Sequence, residues 1–177
     1  MTLVAVLAGG RGRRMGAPKA LADLGGAPLI ARPLAAAAAA GLDAVVVAKE
    51  DTALPALAVP VWHEPAEPVH PLLGVVTALD RAGEPIVAVA CDMPFVTAEL
   101  LARLASGPAA VTVDGRLMPF PARYEPAALP ALRAALEGGS SVRAAVAALG
   151  PETFPVAGAL VASVNTPQEL AAAERAL

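Results

Sequence analysis

From Leu7 the chain reads Leu-Ala-Gly-Gly-Arg-Gly-Arg-Arg-Met-Gly-Ala-Pro-Lys, with four glycines and three arginines in the eleven residues that end at Lys19. Glycines let a backbone curl until several N–H groups point at one place, and such a concavity binds anions, phosphate above all. The arginines and Lys19 add the positive charge that clamps a polyphosphate. Lys19 is one of only two lysines, with Lys49, against eleven arginines. An ammonium is a compact point charge and a guanidinium a broad planar fork, so a retained lysine marks a place where the fork does not serve.

A second constellation is Cys91-Asp92-Met93-Pro94-Phe95. Asp92 closes the apolar run Ile86 to Cys91 at its carboxyl end. A carboxylate there suits Mg²⁺, a hard cation usually held by one or two carboxylates plus substrate phosphates. Thr97 is available to cap the next helix, so Asp92 is not needed for that task. No histidine lies near Cys91 in sequence, and it reads as buried packing.

Two other phosphate motifs resemble the loop and fail. A P-loop needs Gly-Lys followed by Ser or Thr, and no Gly-Lys pair occurs. A dinucleotide fingerprint needs G-x-G-x-x-G; Gly10 and Gly12 fit, but Met15 stands at the third position and the glycine comes one later, at Gly16. The acidic residue expected about 20 residues on is missing from Ile30 to Gly41. An NADP-binding oxidoreductase is therefore the rival from a different class, and a non-catalytic nucleotide-binding module a third reading.

The elements around these residues alternate. Apolar runs at Thr2 to Ala8, Ala44 to Ala48, Val59 to His63, Ile86 to Cys91, Ala109 to Val113 and Leu160 to Val164 predict strands, with Pro119 to Tyr124 an extended return after a turn at Gly115. Helices are predicted over Pro28 to Ala40, Leu72 to Arg81, Thr97 to Leu104, Pro126 to Glu137, Ser141 to Leu149 and Pro167 to Leu177. Thr166 with Glu169 makes a capping box for the last of these. Strands buried on both faces and alternating with helices give an α/β fold, three-layer and doubly wound around a mostly parallel sheet. Ligands bind such sheets at the carboxyl ends of the strands, where the glycine-rich loop and Asp92 both fall. No repeat or linker interrupts the chain, which reads as one domain over residues 1–177. Arg81, Arg103, Arg133 and Arg175 read as solvated helix faces, and Trp62 as packing.

Composition sets the outer bounds. The 177 residues are 56% hydrophobic and 16% charged, which excludes disorder. The net charge of −3 argues against a general nucleic-acid binder. No apolar run has the ~18–20 residues that cross a bilayer, and the start of the chain has no basic leader, so no membrane partner is expected. One cysteine allows no intrachain disulfide, and a reducing cytoplasm is the plain expectation.

The order L-A-G-G-x-x-x-R-M-G-x-x-K-A-L, followed by a strand-terminal C-D-x-P, resembles the nucleotidyltransferase family that contains molybdenum cofactor guanylyltransferase, over nearly the whole chain. His70-Pro71-Leu72-Leu73-Gly74 resembles that family's G-P-L-x-G turn, and Asp114-Gly115 with Pro119 to Tyr124 its D-G-x-x-x-P-x-x-A-x-Y segment. Leu136 to Arg143 resembles its L-x-x-G-x-x-x-V-R segment, and Val164 to Leu170 its V-N-T-P-E-E-L ending. The resemblance implies the nucleotide-diphospho-sugar transferase fold and transfer of GMP from GTP to molybdopterin, with pyrophosphate released and Mg²⁺ as cofactor. It implies that Leu7, Ala8, Gly9 and Gly10 line the guanine and ribose site, that Arg14 and Lys19 hold the triphosphate, and that Asp92 binds Mg²⁺. Asn165 is similar to an Asn on the cofactor-precursor side, and Arg143 is a candidate contact for an anionic pterin. The Gly9-Gly10 pair resembles the guanine-using branch, where related cytidylyltransferases tend to carry Ala-Gly. Two positions depart. Glu64 stands where the family often has Asp after the third strand and is the candidate guanosine contact there. Ala48-Lys49 stands where it often has Asn. GTP and molybdopterin are thus the implied substrates, with transient contact to other cofactor-biosynthesis or acceptor proteins. The rivals within the class are a cytidylyltransferase and a sugar-phosphate nucleotidyltransferase.

Overall fold

The structure, a computed structural model, describes residues 2–10, 15, 18–107 and 109–177. Seven strands form one sheet: β1 Leu3–Leu7, β2 Ala44–Ala48, β3 Val61–His63, β4 Ile86–Ala90, β5 Ala110–Val113, β6 Arg116–Tyr124 and β7 Thr153–Pro155. Their order is β3-β2-β1-β4-β6-β5-β7. β3, β2, β1 and β4 pair in parallel, β6 runs antiparallel between β4 and β5, and β7 lies parallel to β5. The sheet is mostly parallel and mixed, as the alternation of elements predicts.

Period-two burial explains the layers. Val4, Val6, Val46, Ala48, Val87 and Val89 face one core, closed by α1 Ala31–Ala39 and α3 Ala98–Ser106. Ala5, Val45, Val47, Ile86 and Ala88 face the other, closed by α2 Pro71–Ala82, α4 Leu129–Glu137 and α5 Val142–Ala148. Because both faces are covered, these strands carry no polar stripe. A third, small cluster of Leu24, Leu29, Val164 and Ala173 ties the segment before α1 to α6 Pro167–Glu174. Thr166 and Glu169 make the expected capping box at the start of α6.

Three expectations need correction. Leu160 to Val164 is not a strand. Gly158–Val161 is a 3-10 turn, and the chain beyond it runs on without sheet pairing to Val164, whose N–H bonds the Asp92 carbonyl at 2.8 Å. The last strand is instead Thr153–Pro155, whose proline is tolerated because β7 is a sheet edge. β6 begins at Arg116, three residues earlier than expected. Its register with β5 jumps between Ala110↔Ala122 and Val111↔Met118, so Pro119 and Pro121 fall in the unpaired bulge where a missing N–H costs no ladder bond.

The topology fixes where a site can be. The chain leaves β1 for β2 and β3 on one side, then returns to place β4 on the other. Between β1 and β4 the winding reverses, and the crevice at their carboxyl ends is the expected ligand position.

Candidate functional site

A cavity of about 260 Å³ opens at that switch point, lined by residues that include Leu7, Gly9, Gly10, Lys19, Glu64 and Asp92. Continuations of the strands build its floor. Ala8 N–H bonds the Val47 carbonyl at 2.8 Å, Cys91 N–H bonds the Leu7 carbonyl at 3.0 Å, and Glu64 N–H bonds the Ala48 carbonyl at 2.9 Å. Each residue just past a strand is therefore held in the register of its neighbour.

At one end stands a cluster of three side chains. Lys19, in the 3-10 turn Lys19–Leu21, donates from Nζ to Asp92 Oδ2 at 2.7 Å and to Asn165 Oδ1 at 2.6 Å. The carboxylate and ammonium are only 13% and 17% exposed, so little water screens them. Asn165 is seated by three neighbours: its own N–H donates to Glu169 Oε2 at 2.6 Å, the capping box follows, and the Val164–Asp92 backbone bond precedes. Residues 19, 92 and 165, remote in sequence, thus meet at one nitrogen.

This cluster also tests whether the site suits a hard cation. Two oxygens, one carboxylate and one amide, already hold a positive charge between them. Among the described residues no group of three or more His, Cys, Asp or Glu side chains could form an all-protein cage. One carboxylate and a neutral oxygen, with the remaining ligands left to phosphates and water, is the donor set Mg²⁺ takes in phosphate-handling enzymes. The residues fit.

At the other end lies Glu64. Lys49 Nζ is 3.2 Å from its Oε1, and both side chains are 6% exposed. Lys49 also donates to the Pro65 carbonyl at 2.7 Å. Burial raises the Glu64 carboxyl pKa, and Lys49 pulls it back by hydrogen bond and charge. The folded value lies above the ordinary 4.5, so ionising Glu64 subtracts stability as pH rises through that window. Two glycines admit this carboxylate. A Cβ on Gly9 would lie 2.1 Å from Glu64 Oε1, and one on Gly74 would lie 3.0 Å from Oε2.

The other expected site residues fall as follows. Leu7, Gly9 and Gly10 line the cavity. Ala8 does not; its side chain is turned into the core at 4% exposure, and only its backbone serves the loop. Arg14 lies outside the described residues, as do Arg11, Gly12 and Arg13. Arg143 is exposed on α5, away from the cavity lining. Two arginines expected to be merely solvated instead cover aromatic rings: Arg81 sits 4.7 Å from the Trp62 centroid and Arg103 3.8 Å from that of Phe154. Sequence reasoning missed Gly74, Phe120 and Val69 as cavity residues. Gly74 had a signal, a helical glycine just past the His70-Pro71 start.

Cys91 lines the cavity floor but is buried, and burial with the adjacent Asp92 charge pushes its thiol up to about 12. The thiolate is the form that reacts, and burial in apolar surroundings keeps it scarce at pH 8. Iodoacetamide at pH 8 is therefore expected to leave native Cys91 unmodified over the time in which it fully labels the denatured chain, measured by intact mass. Stoichiometric labelling of the native protein would refute the buried-packing assignment.

Comparison with known proteins identifies the family. Residues 4–153 match the family described as MobA-like NTP transferase domain. The chain is 38% identical over 181 residues to the molybdenum cofactor guanylyltransferase of Rhodobacter capsulatus, covering 96% of this chain and 93% of that one. It is 30% identical over 191 residues to the protein of the same name from Cupriavidus taiwanensis, covering 96% and 94%. The solved structure of molybdopterin-guanine dinucleotide biosynthesis protein A from Archaeoglobus fulgidus superposes with a TM-score of 0.77 at 25% identity, covering 98% and 97% of the two chains. The 2-C-methyl-D-erythritol 4-phosphate cytidylyltransferase of Thermus thermophilus shares the fold, with a TM-score of 0.71 at 23% identity. These matches set the oxidoreductase reading aside, and they establish that this chain belongs to the MobA-like NTP transferase family, among the relatives named molybdenum cofactor guanylyltransferase.

Proposed function

We propose that this protein transfers GMP from GTP to the phosphate of molybdopterin and releases pyrophosphate. The observation that carries the reading is the meeting of Lys19, Asp92 and Asn165 at one end of a cavity whose other end presents Glu64. A nucleoside triphosphate has this polarity, with a charged tail at one end and a base at the other. Its phosphates fit the Lys19 end. Its base fits between Leu7 and Glu64.

The reaction needs no enzyme nucleophile. An oxygen of the acceptor phosphate attacks the α-phosphorus in line, a new P–O bond forms, and the bond to the β-phosphate oxygen breaks. Catalysis of such a transfer is positioning plus electrostatic stabilisation. Lys19 supplies positive charge to the triphosphate from a fixed position. Asp92 and Asn165 would hold Mg²⁺, which when bound neutralises charge on the phosphate oxygens. Asn165, which joins the cluster from the segment before α6, is the candidate contact on the acceptor side. No helix among the described residues is long and apolar enough to cross a membrane. The reading places the enzyme in the cytoplasm, with transient contact to the proteins that deliver or receive the cofactor.

Pyrophosphate release with purified molybdopterin, Mg²⁺ and each nucleoside triphosphate in turn tests the reading. Release is expected with GTP and only when molybdopterin is present. GTP at about 100 times its Kd should also stabilise the fold by about 2.7 kcal/mol. Release driven equally by CTP, or a thermal shift with NADPH alone, would overturn it.

A further inference from the structure

Lys49 has no part in the chemistry above, yet it is one of two lysines in the chain and is 6% exposed. Burying an ammonium is costly unless it is paired and hydrogen-bonded. It is paired on both counts: Glu64 Oε1 lies at 3.2 Å and the Pro65 carbonyl accepts from it at 2.7 Å. Lys49 follows β2, and Glu64 follows β3 beside it. The pair therefore spans two adjacent strand ends. Glu64 lines the cavity and Lys49 does not. Lys49 therefore meets a ligand in the cavity through the carboxylate it holds rather than by contact.

We propose that Lys49 is a positioning residue for nucleotide selection, whose buried ammonium holds Glu64 as a charged carboxylate that reads the guanine edge. The inference rests on the guanylyltransferase reading above. An ionised carboxylate only accepts hydrogen bonds, and it can accept two side by side. Guanine offers two adjacent donors, N1–H and the N2 amino group. Cytosine and adenine offer a donor beside an acceptor, which a carboxylate repels. A protonated acid or a carboxamide has the opposite character, one donor beside one acceptor, and matches cytosine or adenine instead. The charge on Glu64 is thus the specificity element. Burial works against that charge and Lys49 sustains it. The carboxylate also packs against the Gly9 backbone so closely that a Cβ there would displace it, and a Cβ on Gly74 would press on its other oxygen. An arginine at position 49 would need more room for its fork than one buried ammonium takes, which accounts for lysine in so arginine-biased a chain.

The test is a set of nucleotide-binding titrations, with GTP, CTP and ATP competing against a fluorescent GTP analogue, on the full chain. Lys49→Met is expected to lower the GTP-over-CTP preference about tenfold, the share of one bidentate base contact. Glu64→Gln should lower it to a similar extent. The double variant Lys49→Met/Glu64→Gln, which leaves no buried charge unpaired, should match Glu64→Gln alone. That non-additivity, read against Lys49→Met, is what a residue acting through Glu64 predicts; should Lys49→Met fold poorly, Lys49→Gln, which removes the charge and keeps a donor for the Pro65 carbonyl, takes its place in the comparison. In Lys49→Met the lost preference should return as pH rises and Glu64 ionises, while the wild type changes little. The other ionisable side chains lining the cavity among the described residues are Lys19, His70, Cys91 and Asp92, and all four are common to both proteins, so the difference between the two pH profiles isolates Glu64. A wild type that prefers CTP overturns the guanylyltransferase reading and this proposal together. A wild type that prefers GTP, with Lys49→Met or the double variant keeping that preference in full, overturns the proposal alone.

Discussion

Replacing Lys19 with methionine is expected to slow GMP transfer by roughly 10²–10³-fold, the usual cost of removing one preorganised charge from a transferring group. The fold should survive. Lys19 sits in a single 3-10 turn, and among the described residues the hydrogen bonds of its side chain are the two to Asp92 and Asn165. Those partners keep their places through other bonds: the Asp92 carbonyl accepts from Val164, and Asn165 is held by Glu169. Arginine should not rescue the reaction, because a guanidinium cannot put one compact charge at a point within 2.7 Å of both oxygens. Single-turnover rates at saturating nucleotide, set beside thermal midpoints, decide the matter. A rate within threefold of wild type would remove Lys19 from the mechanism. A midpoint that collapses with the rate would make its role structural.

That Lys19 and Asp92 share a cleft was legible in the sequence. Each follows an apolar run, and parallel strands put such ends on one edge. The direct bond between them was not legible, since it depends on how the loop returns across the strand ends. Asn165 shows the same division. The Val-Asn-Thr-Pro ending marked the residue by resemblance, but the strand expected just before it does not exist. Asn165 reaches Lys19 because a 3-10 turn replaces that strand and the Val164 amide docks on Asp92. Lys49 was legible only as an oddity, a rare lysine at a position where the family resemblance led one to expect Asn. Its pairing with Glu64 requires knowing that β3 lies next to β2, a tertiary fact. Failures elsewhere share one cause. β7 is three residues long and β6 carries two prolines, so neither shows the periodicity that identifies a strand. Arg81 and Arg103 looked solvated because a helix face says nothing of the aromatic ring across from it.

Asp92→Asn should separate binding from chemistry, which Lys19→Met cannot. The substitution keeps the shape of the side chain and removes its charge. It also frees Lys19 from its ion-pair partner. Triphosphate binding without metal should then be at least as tight as in the wild type, because a negative group beside the phosphates is gone while a positive one remains. Turnover with metal should fall roughly 10²–10³-fold, since the carboxylate that would hold Mg²⁺ has become an amide. Added Mg²⁺ or Mn²⁺ should strengthen nucleotide binding in the wild type and do so far less in the variant. Nucleotide titrations with and without metal read this directly, without recourse to activity. If metal tightens binding equally in both proteins, Asp92 is not the metal's carboxylate. The double variant Lys19→Met/Asp92→Asn adds a second reading. Residues that act as a unit on one charge give non-additive losses, so the double variant should be little slower than the worse single one. Losses that multiply would mean that the two side chains, in contact at 2.7 Å in the resting protein, serve separate steps.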